Sequence, residues 1–183
     1  MILLNKSGKE IDLQVLASYP NLAVYPGSFN PLHKGHKGIF QLLKDQGLHV
    51  VFELSKSRFQ KSPYPAEVIQ KLVKQFQGFS ELLLSDAPLF SQKRDQLMHF
   101  QPHWVMGYDT AKRWIDENKK ADATERQKIE KMKVVFIGRL SDGVYYDPSD
   151  LINGEERFTY QILHFRCDIS STQIRQERAQ QGH

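Results

Sequence analysis

Two histidines three residues apart, His33 and His36, follow a loop that reads Gly27-Ser28-Phe29-Asn30-Pro31. At that spacing both imidazoles lie on one side of a first helical turn. A strand-loop-helix junction of glycine and small polar residues also turns backbone N–H groups and the positive end of a helix toward an anion. Two imidazoles in that setting can donate hydrogen bonds to phosphate oxygens and offset charge that grows on them. No nucleophile stands beside a base in the loop, so covalent catalysis is not expected. Gly27 and Pro31 also serve to build the turn, and Ser28 or Asn30 to cap it. The paired histidines carry the reading beyond turn building; a lone one would be read as structural.

A second group lies near the other end: Ile169-Ser170-Ser171-Thr172-Gln173-Ile174-Arg175. Ser170 and Gln173 fit a capping box, which needs no function. The box leaves Ser171, Thr172 and Arg175 unexplained. Two more hydroxyls at a positive helix end, and a forked cation one turn on, make a second grip for a polyphosphate. Zinc is not expected, because no third or fourth ligand accompanies His33 and His36 and the chain has one cysteine, Cys167.

The rest of the composition narrows the classes. The 183 residues fit one domain, with 40% hydrophobic and 25% charged residues, as in an ordinary folded protein. The longest apolar runs, Val134 to Ile137 and Leu82 to Leu84, are far too short for a membrane span. Met1-Ile2-Leu3-Leu4-Asn5 already gives way to charge at Lys6, which is unlike a signal peptide. With one cysteine, a reducing and cytoplasmic setting is expected. Net charge is +4, and the 25 basic residues are scattered among 21 acids instead of forming a stripe. That argues for phosphorylated small molecules and against nucleic acid as the partner.

The elements that must hold these groups alternate. Leu22 to Tyr25 reads as a strand, His36 to Gln46 as a helix, Val50 to Leu54 as a strand and Pro65 to Phe76 as a helix. Leu82 to Leu84, Trp104 to Met106 and Val134 to Ile137 read as further strands. Helices are expected from Gln92 to Phe100, from Thr110 and from Thr124 to Met132. Strand-helix alternation implies a parallel, doubly wound α/β sheet whose ligands bind beyond the carboxyl ends of the strands. Residues 1–20 precede the first clear strand, as a hairpin or short helix. A single catalytic domain is expected over 21–183, with Leu140 to Glu156 as a long loop.

The Gly27-to-Pro31 loop with His33-Lys34-Gly35-His36 resembles the HxGH element of the nucleotidyltransferase superfamily. Ile169-Ser170-Ser171-Thr172-x-x-Arg175 resembles the ISSTxxR element of its nicotinamide and nicotinate mononucleotide adenylyltransferases. Gly107-Tyr108-Asp109 is similar to the family's GxD turn. The motifs stand in family order and frame Asn21 to Arg175. The resemblance implies a Rossmann-like fold and transfer of AMP from ATP to a pyridine mononucleotide, with release of pyrophosphate and Mg²⁺ carried on the triphosphate.

By the same resemblance His33 and His36 meet the triphosphate, and His36 stabilises charge at the α-phosphate. Gly27, Ser28 and Phe29 line both nucleotide sites with backbone groups. Gly107 and Asp109 face the adenosine, and Ser170, Ser171, Thr172 and Arg175 bind the outer phosphates. Asp109 could equally cap the helix that begins at Thr110.

The chain also departs from the pattern. Trp114 follows the GxD turn sooner than the family's ring-stacking aromatic, so core packing is an equal reading. Phe52-Glu53-Leu54-Ser55, with Lys61 after it, looks more like a group of cytidylyltransferase-like domains. Lys61 is a candidate for the substrate phosphate, with an exposed lysine as the plain alternative. The aminoacyl-tRNA synthetases share the histidine motif, but Lys131-Met132-Lys133 lacks their second one. Nicotinamide is favoured over nicotinate because the matching motifs hold no basic residue beyond Lys34 and Arg175. Lys56, Arg58, Lys61 and Arg113 are the cations that would reverse that preference. Transfer from CTP, another acceptor, or a nucleotide sensor without catalysis are the other readings, and a homo-oligomer is left open.

Overall fold

Short apolar runs make the strands of a computed structural model that describes residues 1–57, 62–87, 89–119, 122–141, 143–152 and 158–166. Leu22-Ala23-Val24-Tyr25 is buried throughout and forms the body of β3 (Leu22–Gly27), after β1 (Ile2–Leu4) and β2 (Glu10–Ile11). Helix α1 (Lys34–Asp45) buries Phe40 and Leu43, and Gly47 turns the chain out of it at φ +77. A left-handed φ of that size is easiest for glycine. Then come β4 (His49–Ser55), α2 (Ala66–Lys74) and β5 (Leu82–Ser85). Glu67 in the first turn of α2, with Lys71 and Lys74 in the last, complements the helix dipole.

The second half repeats the alternation with α3 (Phe90–Leu97), β6 (His103–Gly107), α4 (Tyr108–Asn118), α5 (Ala123–Glu130) and β7 (Lys133–Ile137). A hairpin of β8 (Arg139–Ser141) and β9 (Val144–Tyr146), a 3₁₀ turn at Pro148–Leu151 and β10 (Thr159–Leu163) follow. Two expectations change here. The stretch from Leu140 was read as a loop, yet its Val144-Tyr145-Tyr146 pairs with Arg139-Leu140-Ser141. Thr159–Leu163 was not read as a strand, because its burial comes from a parallel neighbour, β7, and not from its own pattern.

The large sheet has the order β10-β7-β6-β3-β4-β5-β1-β2. The six strands from β10 to β5 are parallel, and only the pairings of β1, with β5 and with β2, are antiparallel. The first twenty residues supply that hairpin and a 3₁₀ turn (Leu13–Ser18), so both forms expected for them are present. One face of the sheet packs Phe40, Leu43 and Leu72 from α1 and α2 against Ala23, Phe52, Leu54 and Val105. The other packs Leu97, Ala111, Trp114 and Ile129 from α3, α4 and α5 against Val24, Val51, Met106 and Phe136. Each fully buried leucine or phenylalanine contributes about 1.5–3 kcal/mol.

The chain moves outward from β3 through β4 and β5, then returns to the other side of β3 as β6. That reversal is the topological switch point, where ligands of open α/β sheets bind. The hydrogen-bonded register between β3 and β6 holds only Ala23↔His103 and Val24↔Trp104. Between β3 and β4 it runs through six pairs, up to Gly27↔Leu54. The two central strands therefore part over their carboxyl halves, and the opening lies beside the loop that leaves β3.

Candidate active site

His33 sits at the N-cap of α1, and its Nδ1 accepts the Gly35 N–H at 3.1 Å. Its own N–H donates to His36 Nδ1 at 3.4 Å, which makes a capping box from two imidazoles. The rings stack with centroids 3.8 Å apart and planes 27° from parallel. Because each Nδ1 accepts, each neutral ring carries its proton on Nε2. Neither Nε2 has a protein acceptor among the described residues. Burial, then the neighbouring His33, push the His36 pKa down to about 3. Burial lowers His33 as well. The site thus offers two neutral N–H donors at the head of a helix, where partial positive charge already gathers.

The preceding loop is fixed by packing. The Phe29 ring is 1% exposed and meets Tyr25, His36, Phe52 and Phe76 edge-on at 5.0 to 5.5 Å. Its backbone takes a left-handed φ of 43, and the next peptide bond but one, Asn30-Pro31, is cis. A Cβ on Gly27 would come within 2.5 to 3.0 Å of that ring, so the ring and a larger side chain cannot share the space. Ser28 is exposed between them. Phe29 therefore offers the site its backbone, while its ring belongs to the core.

A residue that the sequence did not single out holds this loop. Gln75, at the C-cap of α2, accepts the Leu32 N–H at 2.8 Å through Oε1. Its Nε2 donates to the Phe29 carbonyl at 3.2 Å and to Leu72 O at 3.4 Å. One amide thus ties both ends of the Phe29-to-Leu32 turn to a different helix. Gln75 is more than forty positions from Phe29 and Leu32 and lies in no motif, so nothing local signals its hold on the loop.

Across the opening, Gly107 ends β6, and a Cβ there would meet nothing within 4 Å. Asp109 lies in the first turn of α4, which begins at Tyr108, and so inside the helix instead of at its cap. The β8–β9 hairpin folds toward this corner, with Tyr146 5.3 Å from Tyr108. Trp114 is buried among Phe90, Phe136 and Phe158. It also lines a cavity of about 320 Å³ between α3, α4 and α5, whose other walls include Arg94, Asn118 and Glu125 and no residue of the histidine loop. Lys61, Arg58, Ser170, Ser171, Thr172 and Arg175 lie outside the described residues.

The ends of β4 and β5 are also tied together. Ser55 Oγ donates to the Ala87 carbonyl at 3.1 Å, and Lys56 pairs with Asp86 at 3.0 Å. Below them Glu53, wholly buried, receives the Ser85 hydroxyl at 2.5 Å and the Lys93 ammonium at 2.7 Å. Among the described residues no three His, Cys, Asp or Glu side chains converge as a metal cluster, and no helix is long and apolar enough to cross a membrane.

Known proteins resemble this chain in sequence and in fold. The sequence model of the cytidylyltransferase-like family matches residues 24–177. A protein of Methylacidiphilum infernorum named "Probable nicotinate-nucleotide adenylyltransferase" is 29% identical over 175 residues, covering 85% of this chain and 78% of its own length. The solved structure of Plasmodium falciparum nicotinic acid mononucleotide adenylyltransferase complexed with APC superposes with a TM-score of 0.56. It is 14% identical and covers 85% of this chain and 82% of its own, a likeness of fold. With the family's match spanning both the histidine loop and the ISST segment, the chain belongs to the cytidylyltransferase-like family of nucleotidyltransferases.

Proposed function

We propose that the enzyme transfers AMP from ATP to a pyridine mononucleotide, with nicotinate mononucleotide as the acceptor and pyrophosphate as the leaving group, a step that makes a dinucleotide of the NAD type. The observation that carries this reading is the stacked His33–His36 pair, with both Nδ1 atoms engaged and neither Nε2–H taken by an acceptor among the described residues. An acceptor phosphate oxygen attacks the α-phosphorus in line, and the bond to the bridging oxygen of pyrophosphate breaks. No proton has to leave the attacking oxygen, so the protein's part is positioning and charge stabilisation. His36 Nε2–H, at the positive end of α1, donates to the α-phosphate as charge builds. Ser170, Ser171, Thr172 and Arg175 are assigned to the outer phosphates by their motif. Mg²⁺, which keeps its waters readily, would need few of the described residues as ligands and would supply positive charge to the triphosphate.

Charge within the motifs favoured nicotinamide, whereas the names of both relatives carry nicotinate, and the acceptor is chosen on those names. The family's own description keeps transfer from CTP as the second reading. Pyrophosphate release, with ATP or CTP paired with each pyridine mononucleotide, tests the proposal. Turnover is expected with ATP and nicotinate mononucleotide. Turnover only with CTP supports the second reading. No pyrophosphate with either acceptor ends the assignment and leaves the fold and family intact.

A further inference from the structure

Glu53 and Lys93 form a buried ion pair that the proposed chemistry does not use. Glu53 faces the α3 side of the sheet, since Val51, two residues earlier, packs in that layer. It pairs in register with Pro26, the residue before Gly27, on the half of β3 that has parted from β6. Its two oxygens are engaged, one by Ser85 and one by Lys93. The Lys93 side chain is 11% exposed, near the start of α3 and thus close to the carboxyl ends of the strands. Glu53 takes one of the three ammonium donors, and among the described residues no other acceptor takes the rest.

Stability alone does not account for such a pair. Burying two charges costs about as much as their attraction returns, and well-packed apolar side chains would hold α3 as firmly. What the pair adds is an ammonium fixed on Glu53, whose register partner Pro26 lies on the half of β3 that has parted from β6, with two donors to spare among the described residues. Two of the cations that the sequence offered for that charge are described. Lys56 is bound to Asp86, and Arg113 is exposed on α4.

We infer that Lys93, held by Glu53, is a specificity-determining residue that donates to an anionic oxygen of the acceptor mononucleotide. This rests on the mononucleotide reading of the site. The oxygen belongs either to the ring carboxylate of nicotinate or to the acceptor's phosphate. A neutral nicotinamide shares the phosphate and lacks the carboxylate, so the two acceptors separate the sources.

The test compares wild type with the double variant Glu53→Gln/Lys93→Met, which leaves no unpaired charge in the core, and with Glu53→Gln alone. Acceptor binding is measured by calorimetry, turnover by kcat/KM for each substrate, and folding by thermal melts. The double variant is expected to lose about tenfold or more in acceptor affinity, the weight of a hydrogen bond to a charged group, with KM for ATP unchanged. A loss confined to nicotinate mononucleotide identifies the carboxylate, and an equal loss for both acceptors identifies the phosphate. Glu53→Gln alone, which removes the carboxylate that holds the ammonium, is expected to lose acceptor affinity in the same pattern. Unchanged acceptor affinity in a folded double variant, or a matching rise in KM for ATP, would overturn the inference. Wild-type protein that binds neither mononucleotide overturns the proposed function along with it.

Discussion

An imidazole that accepts through Nδ1 and stacks on a second imidazole works best uncharged. His36 is held in that state by burial first and by His33 second, at a pKa of about 3 against an ordinary 6.5. Two consequences can be measured. As a neutral donor it does not titrate between pH 5 and 8, so it adds no limb to the kcat profile there. His36→Ala is expected to lower kcat by about 10²-fold, the cost of removing one preorganised donor. Stability, unlike kcat, does depend on acid. The unfolded chain takes up a proton near 6.5 and the folded chain resists until about 3, so the neutral burial of His36 is tolerated in full above 6.5. Stability is then lost as pH falls toward 3. Urea melts from pH 7 to 4 should show His36→Asn losing less than wild type. An NMR titration of His36 centred near 6.5 would contradict both statements.

Helix α2 contributes no ligand in the proposed site, yet its last turn controls the loop. Replacing Gln75 by leucine strands the Phe29 carbonyl and the Leu32 N–H, each partly shielded from water. That should cost about 1–3 kcal/mol of stability. A shift of the loop by a fraction of an ångström, with the histidines that follow it, is expected to lower kcat by about tenfold or more. Gln75→Glu keeps an acceptor for Leu32 and loses the donor to Phe29, so it should fall between. Melting temperatures and kcat for the three proteins give the order, and a leucine variant with full kcat would show that packing of the Phe29 ring suffices. This clamp also shows where reading the sequence stops. The His33–His36 spacing, the strand that precedes it and the helix that follows are local and were legible. The partners of Gln75, and the Glu53–Lys93 pair forty positions apart, depend on which strands become neighbours. No local period records that. Strand β10 was hidden for the same reason, because its exposed Thr159 and Tyr160 look like loop until β7 is beside them.

The first twenty residues read as an extension to a nucleotide-binding domain, but their contacts make them part of its edge. Leu3 and Leu16 are each 1% exposed and belong to the core on the α3 side. Strand β1 pairs with β5 from Ile2↔Leu84 to Leu4↔Leu82, and so occupies an edge that would otherwise be open. Tyr19 stacks on His49 at 3.7 Å and donates its hydroxyl to Glu81 Oε1 at 2.7 Å, while His49 Nε2 meets Glu81 Oε2 at 2.9 Å. Burial and that carboxylate push the Tyr19 hydroxyl pKa up, which keeps it a donor at any ordinary pH. These contacts sit at the amino end of β4, opposite the histidine loop, so they bear on stability and not on chemistry. Deleting residues 1–20 would remove two buried leucines and leave a bare, apolar β5 as an aggregation-prone edge. The truncated chain is expected to melt at least ten degrees lower or to aggregate. Tyr19→Phe, which removes one hydrogen bond and keeps the stack, should cost about 1 kcal/mol and leave kcat unchanged. Thermal melts and light scattering of both variants decide it. A truncated chain as stable and monodisperse as the full one would mean that β5 is covered by something other than β1.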